Sequence, residues 1–200
     1  MIDSKEKLRS AYPPAKGRSL KKQLAELDKH CLRFVSLSPF VVLSSGTLEG
    51  GFDASPRGGE PGFVRAPDAR TLLIPDAPGN NRLDTLENIL ANGRLGLLFL
   101  IPGVDETLRV NGRARLRDEM SLVEKFRNEK RTPRLVIEVQ VEAVYLHCAK
   151  ALMRSKLWSA ESRVERTVLP TMGQMLADQI GEPALAESQE QMVERYKADL

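Results

Sequence analysis

Hydrophobic and polar positions along this chain follow two different periods. Between Arg134 and His147 they alternate: Leu135, Ile137, Val139 and Val141 stand against Val136, Glu138, Gln140 and Glu142. That is the period of a strand with one face buried. Phe40 to Ser45 and Leu95 to Ile101 are apolar runs of strand length, and Glu106 to Leu116 is a further long strand. Phe52 to Pro56 reads as the returning half of a hairpin whose turn is Gly46 to Gly51, and it delivers Arg57 at its end. Thr71 to Pro75 forms a third short strand after a turn at Asp68-Ala69-Arg70. Helical spacing appears elsewhere. Leu83, Leu86, Ile89 and Leu90 give an amphipathic helix that starts after the break at Pro78-Gly79, is capped by Asn81 or its neighbour, and ends at Asn92-Gly93.

The N-terminal region is helix-prone, broken at Tyr12-Pro13-Pro14, and resumes near Ser19 with Leu20, Leu24 and Leu27 at helical spacing. This helix is expected to end near His30, whose imidazole would face the negative end of the dipole. Ser121 to Arg127 forms a short helix, and Ala149 to Leu157 a further one. The tail after Thr171 is helical, then charged and expected to fray from Glu187. Most strand connections are too short for a parallel crossover, so the sheet is expected to be mainly antiparallel. These strands, interrupted by one helix, fit a closed barrel with helices outside it. The predicted organisation is a single domain: a helical segment over 1–30, a barrel over 31–160 and a helical extension over 161–200.

Composition narrows the functional classes. Net charge is only +3, and arginines such as Arg113, Arg115 and Arg117 are interleaved with Asp118 and Glu119, so a nucleic-acid surface is disfavoured. No apolar run reaches the ~18–20 residues of a membrane span. Met1 to Glu6 is charged, unlike a secretory leader, and Cys31 and Cys148 have no metal-ligand spacing. A cytoplasmic protein with two free thiols is the expectation. Cys148 reads as a small buried hydrophobe, and His147 as a structural residue or a proton donor.

Two glycine-marked segments carry the candidate chemistry. They are Asp53-Ala54-Ser55-Pro56-Arg57-Gly58-Gly59 and, about 25 residues on, Gly79-Asn80-Asn81-Arg82-Leu83. Each sets an arginine beside small or amide residues with free donors, as a phosphate monoester requires. A helix N-terminus adds unpaired N–H groups and partial positive charge. The first segment could equally be a solvated turn and the second only a helix cap. Asp84 and Glu87 lack further ligands, so no metal is expected.

The ordered set of motifs resembles the pyridoxamine 5′-phosphate oxidase-like FMN-binding split-barrel family, in its bacterial FMN-dependent branch. Its carriers are the two segments above with Asp84-Thr85-Leu86-Glu87-Asn88, then Gly96 to Phe99, Glu106 to Ala114, His147 to Ala151 and Arg154 to Trp158. The resemblance spans about Leu24 to Trp158. It implies a β-rich α+β fold, an antiparallel six-stranded split barrel with flanking helices, and a homodimer with FMN at the interface. It also implies that Arg57, Asn80, Asn81 and Arg82 contact the FMN phosphate, with Ser55 and Gly58 beside them, and Asp53 would either orient Arg57 or bond the flavin. Thr107 would face the flavin ring, and Lys150, Arg154 and Trp158 would reach the cofactor from the C-terminal side.

The Ser-Arg-Lys of the best-studied oxidases is replaced by Asn80-Asn81-Arg82, so the resemblance implies a cofactor site retained in altered form. Their C-terminal arginine–histidine pair finds no match near Trp158, so a vitamin B6 substrate site is not expected. The implied function is an FMN-dependent oxidoreductase acting on a small molecule, with NAD(P)H or oxygen as redox partner. The alternatives are a flavin carrier or sensor without turnover, or a split barrel holding F420 or haem.

Overall fold

The computed structural model describes residues 1–15, 17–77, 79–127, 132–182 and 187–197. Its strands are β1 (Phe40–Gly46), β2 (Phe52–Gly58), β3 (Arg65–Asp68), β4 (Thr71–Pro75), β5 (Arg94–Ile101), β6 (Val104–Arg117) and β7 (Val136–His147). Its helices are α1 (Lys5–Ala11), α2 (Arg18–Lys21), α3 (Lys29–Leu37), α4 (Asp84–Asn92), α5 (Met120–Val123), α6 (Lys150–Ser155), α7 (Met172–Ile180) and α8 (Gln189–Lys197). All strand pairs are antiparallel, in the order β2-β1-β5-β6-β7-β4-β3. Among the described residues the sheet thus has seven strands rather than six, and no pairing joins β2 to β3, so the barrel is split, as the resemblance implies, and not closed. The extra strand, β3, is four residues long and contains Pro67, so it carries too little alternation to be seen in the sequence.

The sheet curls around an apolar interior because its inward positions are aliphatic. Val41, Leu43, Leu97, Phe99, Leu108, Val110, Val139 and Val144 are buried there, and Cys31, Phe34 and Val35 of α3 close over them with Leu86 and Ile89 of α4. Gly112 marks the one sharp irregularity in the central pair. Asn111 faces Ala143 while Gly112 faces Val141, which leaves Glu142 as the extra residue of a bulge. A Cβ at position 112 would collide with the Gln140 carbonyl, so only glycine permits this approach.

Several expected boundaries move. The helix preceding the sheet is α3, capped by the Asp28 carboxylate accepting from His30 and Cys31 N–H, at 3.0 and 2.8 Å. The Leu20–Leu27 spacing does not produce one helix: Leu24 instead bridges to Val144, and Leu27 is buried. Leu24 is drawn to the sheet edge because β7, beyond its pairing with β4, offers unpaired backbone there, while Leu27 N–H donates to the Ala69 carbonyl. His30 therefore lies in the first turn of α3, not at a helix C-terminus. The cap of α4 is Leu83, in the left-handed region at φ 62°, with no side-chain cap bond. Asn81 (φ 59°) is left-handed as well, while the Asn80 side-chain oxygen accepts from Arg82 N–H at 3.1 Å. The asparagines shape a turn ahead of the helix, and Pro78 of the expected break lies outside the described residues. Beyond Glu187, where fraying is expected, α8 is helical, with Glu187 bonded to Arg195 at 2.8 Å.

What fixes α4 against the β1–β2 hairpin is a polar clip within an apolar contact. Thr85 Oγ1 donates to Asp53 Oδ2 at 2.6 Å, and Ser45 Oγ approaches the same oxygen at 3.3 Å. Asn88 Nδ2 donates to Ser45 Oγ at 2.9 Å, and the Asn92 side-chain amide donates to the Gly46 carbonyl. Thr85, Asn88 and Ser45 are all buried, so each depends on the others for its hydrogen bonds.

Asp53→Ala should destabilise the fold by about 1–3 kcal/mol, because it strands the buried Thr85 hydroxyl; chemical denaturation would measure this. Gly112→Ala should cost about 1–3 kcal/mol through overpacking. Gly79→Ala, at a position where an added Cβ meets nothing within 4 Å, should stay within about 0.5 kcal/mol of wild type.

Candidate functional site

The inward face of β2 is polar where its neighbours are apolar. Asp53, Ser55 and Arg57 alternate onto that half-buried face, opposite Ser45, Leu43 and Val41 of β1. Arg57 Nη1 donates to Ser55 Oγ at 2.5 Å and to the Pro56 carbonyl at 2.9 Å. The guanidinium has no carboxylate partner among the described residues, and the rest of its donor fork is uncommitted. Asp53 does not meet Arg57. Its carboxylate is taken by Thr85 and Ser45, four residues or about 13 Å along the extended strand. Gly58 is exposed, and Gly59 N–H donates to the Pro39 carbonyl at 3.1 Å. The missing side chain of Gly59 makes room for Phe63, whose Cβ would lie 2.8 Å from an added Cβ.

The Asp53–Thr85 bond sets the entrance of α4 beside β2. Asn80, Asn81 and Arg82 are exposed there, and Arg82 Nε pairs with Asp84 at 2.9 Å. This pair is open to water and worth little in stability, so the guanidinium is free to exchange partners. No hydrogen bond joins Arg57 to Arg82 among the described residues. The clip brings their segments alongside one another, and no more than that.

The remaining predicted residues lie at the other end of β6. Thr107 is half-buried on the outward face of β6, opposite His147. Lys150 and Arg154 are exposed, one turn apart on α6. Trp158 is half-buried, and its indole N–H donates to the Val104 carbonyl at 2.9 Å. That bond pins the end of α6 to the start of β6, and it commits the polar edge of the ring to the protein.

The Cys31 thiol is not poised for chemistry. Burial, and then the Asp28 carboxylate, push the Cys31 thiol up to about 11, so it stays protonated near neutrality. Cys148 is exposed, against the expectation of a small buried hydrophobe; it follows the last residue of β7, where the strand leaves the core. His147 has its pKa lowered by desolvation, with the charges of Arg109 and Lys22 adding to the effect. The residues hidden from a sequence-level search are Ser45, Thr85 and Asn88. The only signal was polar residues at 85 and 88 on the same helix face as Ile89, a pattern that called for buried partners.

An open groove of about 430 Å³ runs along the hairpin and β5–β6, lined by Ser44, Asn92, Arg94, Asn111 and Glu142 among others. None of the predicted site residues lines it. No His, Cys, Asp or Glu cluster among the described residues could hold a metal ion, and no described helix is long and apolar enough to cross a membrane.

Comparison with solved structures finds similar chains at low identity. The crystal structure of a histidine-to-alanine variant of HupZ from Group A Streptococcus matches with a TM-score of 0.50 and 16% identity, covering 60% of this chain and 99% of that one. A putative pyridoxamine 5′-phosphate oxidase from Lactobacillus delbrueckii matches with a TM-score of 0.49 and 18% identity, over 62% of this chain and 98% of that one. An FMN-binding protein from Syntrophomonas wolfei gives 0.49 and 11%, over 60% and 90%. Among the curated proteins, none matches in sequence. A family model described as pyridoxamine 5′-phosphate oxidase matches residues 27–148. That span runs from just ahead of α3 to just past β7 and takes in every strand of the split barrel, so the chain belongs to the pyridoxamine 5′-phosphate oxidase family.

Proposed function

We propose that this chain binds FMN and works as an FMN-dependent oxidoreductase on a small molecule, as a homodimer in the cytoplasm. The observation that carries the proposal is Arg57: a half-buried guanidinium, steadied by Ser55, with no carboxylate among the described residues to neutralise it. A cation held in that state suits a phosphate monoester, which supplies both charge and acceptors. The donor chemistry therefore fits the cofactor that the family resemblance implies.

In this reading Arg57 and Ser55 hold the phosphate from β2, and Gly58 lets the backbone come close. Asn80, Asn81 and Arg82 complete the grip from the entrance of α4, with Arg82 exchanging Asp84 for the phosphate. Asp53 is a positioning residue, acting through Thr85 and Ser45. Thr107 lies toward the ring, while Lys150, Arg154 and the fixed edge of Trp158 flank it from the C-terminal side. When bound, FMN supplies the two-electron redox chemistry, with NAD(P)H or oxygen as the second substrate. The protein's own task is to bind, orient and partly enclose it.

Support for the dimer comes from the outward face of β2, β1 and β5. Phe40, Val42, Leu98, Leu100, Ala54 and Pro56 share it by register, and Phe40 keeps 38% of its surface exposed. An apolar sheet face of this kind is a recognised association surface.

Purified protein should be yellow or become so on titration with FMN, and sedimentation should give twice the chain mass. Arg57→Ala and Arg82→Ala should each weaken FMN by roughly 1.5–3 kcal/mol, the range for a lost charged hydrogen bond, as read by flavin fluorescence. Unchanged affinity in both would overturn the phosphate assignment. Anaerobic mixing with NADPH or NADH should bleach the bound flavin; FMN that binds without being reduced by either would point to a carrier or sensor instead.

A further inference from the structure

The outward face of β6 presents a row of arginines at alternate positions: Arg109, Arg113, Arg115 and Arg117. Three of them are neutralised by carboxylates. Arg113 pairs with Glu142 at 3.3 Å, Arg115 with Glu138 at 2.5 Å, and Arg117 with both Glu119 and Glu138, at 2.8 and 2.5 Å. Arg109 is different. Its Nη1 donates to the Tyr145 hydroxyl at 3.1 Å, and its guanidinium carbon lies 5.8 Å from that ring's centre.

A second cation comes to the same ring from far away in sequence. Lys22 is brought in by the Leu24–Val144 bridge; its Nζ donates to the Leu146 carbonyl at 2.7 Å and stands 5.3 Å from the Tyr145 ring centre. His147 lies 5.2 Å from Tyr145, ring centre to ring centre, and its Nε2 is closed off from solvent without a hydrogen-bond partner. No carboxylate pairs with Lys22 or Arg109 among the described residues. Asp105, which alternates onto the same face of β6, forms no ion pair with either among the described residues, Glu106 alternates to the other face, Glu142 is taken by Arg113, and the helix that follows begins with another cation, Lys150. Two permanent charges, a phenol and an imidazole therefore gather about the Tyr145 ring with no described acid paired to them. Aromatic faces absorb part of this positive field, but they supply no acceptor to the remaining N–H donors.

We propose that Lys22, Arg109, Tyr145 and His147 form a binding site for a dianionic oxyanion, a phosphate monoester in its biological form, on the outward face of β6 and β7. Two fixed cations match the charge of about −1.5 to −2 that a phosphate monoester carries at neutral pH. Tyr145, which already accepts from Arg109, keeps its own proton to donate. The site is separate from the β2–α4 pocket and does not depend on the cofactor assignment. The monoester belongs either to the cofactor or to a second molecule, and the two sources can be told apart.

The chain has only two histidines, so proton NMR can follow the His147 ring against His30 as an internal control. The sign follows from the surroundings: burial, and then the charges of Arg109 and Lys22, depress the His147 pKa, whereas a bound dianion favours the imidazolium. Inorganic phosphate added to the full chain should therefore raise the His147 midpoint by about one unit, saturably, with His30 unmoved. Arg109→Gln and Lys22→Gln should each raise the midpoint without phosphate, because a like charge is gone. Each should also weaken phosphate about tenfold or more, the loss of one charged contact, whereas Arg109→Lys should retain most of the response.

Arg57→Ala should keep the whole response, so a failure of the cofactor pocket would not be mistaken for a failure here. If FMN produces the same shift and phosphate competes with it, the dianion is the cofactor's. If phosphate still moves His147 in FMN-saturated protein, the dianion belongs to a second molecule. Absence of a saturable shift, or a shift that persists in both glutamine variants, would overturn the proposal.

Discussion

The pairing of β6 with β7 is the constraint on which the rest of this molecule depends. The two longest strands run antiparallel from Thr107–His147 to Arg117–Val136. Every other strand reaches the sheet through one of them, β5, β1 and β2 by way of β6, and β4 and β3 by way of β7. Because side chains alternate along a strand, this single register decides what is inside and what is outside. Leu108, Val110, Val139 and Val144 go to the core, while Thr107, Arg109, Tyr145 and His147 go to the outer face. The bulge at Gly112 lets the long pair change course without turning either face inside out.

The residues of the two glycine-marked segments divide by what their polar atoms already touch. Asp53, Thr85, Asn88 and Ser45 satisfy one another in a buried contact. Such atoms are poorly placed to bind a ligand, since each bond given up would leave a buried group unpaired. Arg57, Ser55, Asn80, Asn81 and Arg82 keep donors at half-buried or exposed positions. One short motif thus serves two purposes: part of it clamps the helix to the hairpin, and part of it faces outward. The same sorting applies to the arginines of β6, where carboxylate partners account for three and leave Arg109 to an aromatic ring.

Much of the sheet was legible from the chain because two-residue periodicity is local. β1, β2, β4, β5, β6 and β7 all lie where alternation or short apolar runs placed them, and α4 follows from its leucines and isoleucine. The errors occurred where the deciding contact was distant or the signal short. β3 is four residues with a proline. Leu24 was spaced for a helix yet pairs with Val144, a partner far along the chain. Asn81 looked like a cap, but the chain turns left-handed there and again at Leu83 before α4 begins.

By itself the sequence determined the strands, their antiparallel pairing and the chemical types gathered near the hairpin and α4, because periodicity, turn residues and composition act over a few neighbouring positions. Only the tertiary structure decided which polar groups are spent and which are available. Asp53 and Arg57 share one strand face, yet the carboxylate of the first closes a buried clip while the guanidinium of the second meets no acid among the described residues. Lys22 meets Tyr145 only because the sheet edge draws the N-terminal segment across it. Charge balance depends on what lies within a few ångströms in space, and sequence spacing does not encode that distance.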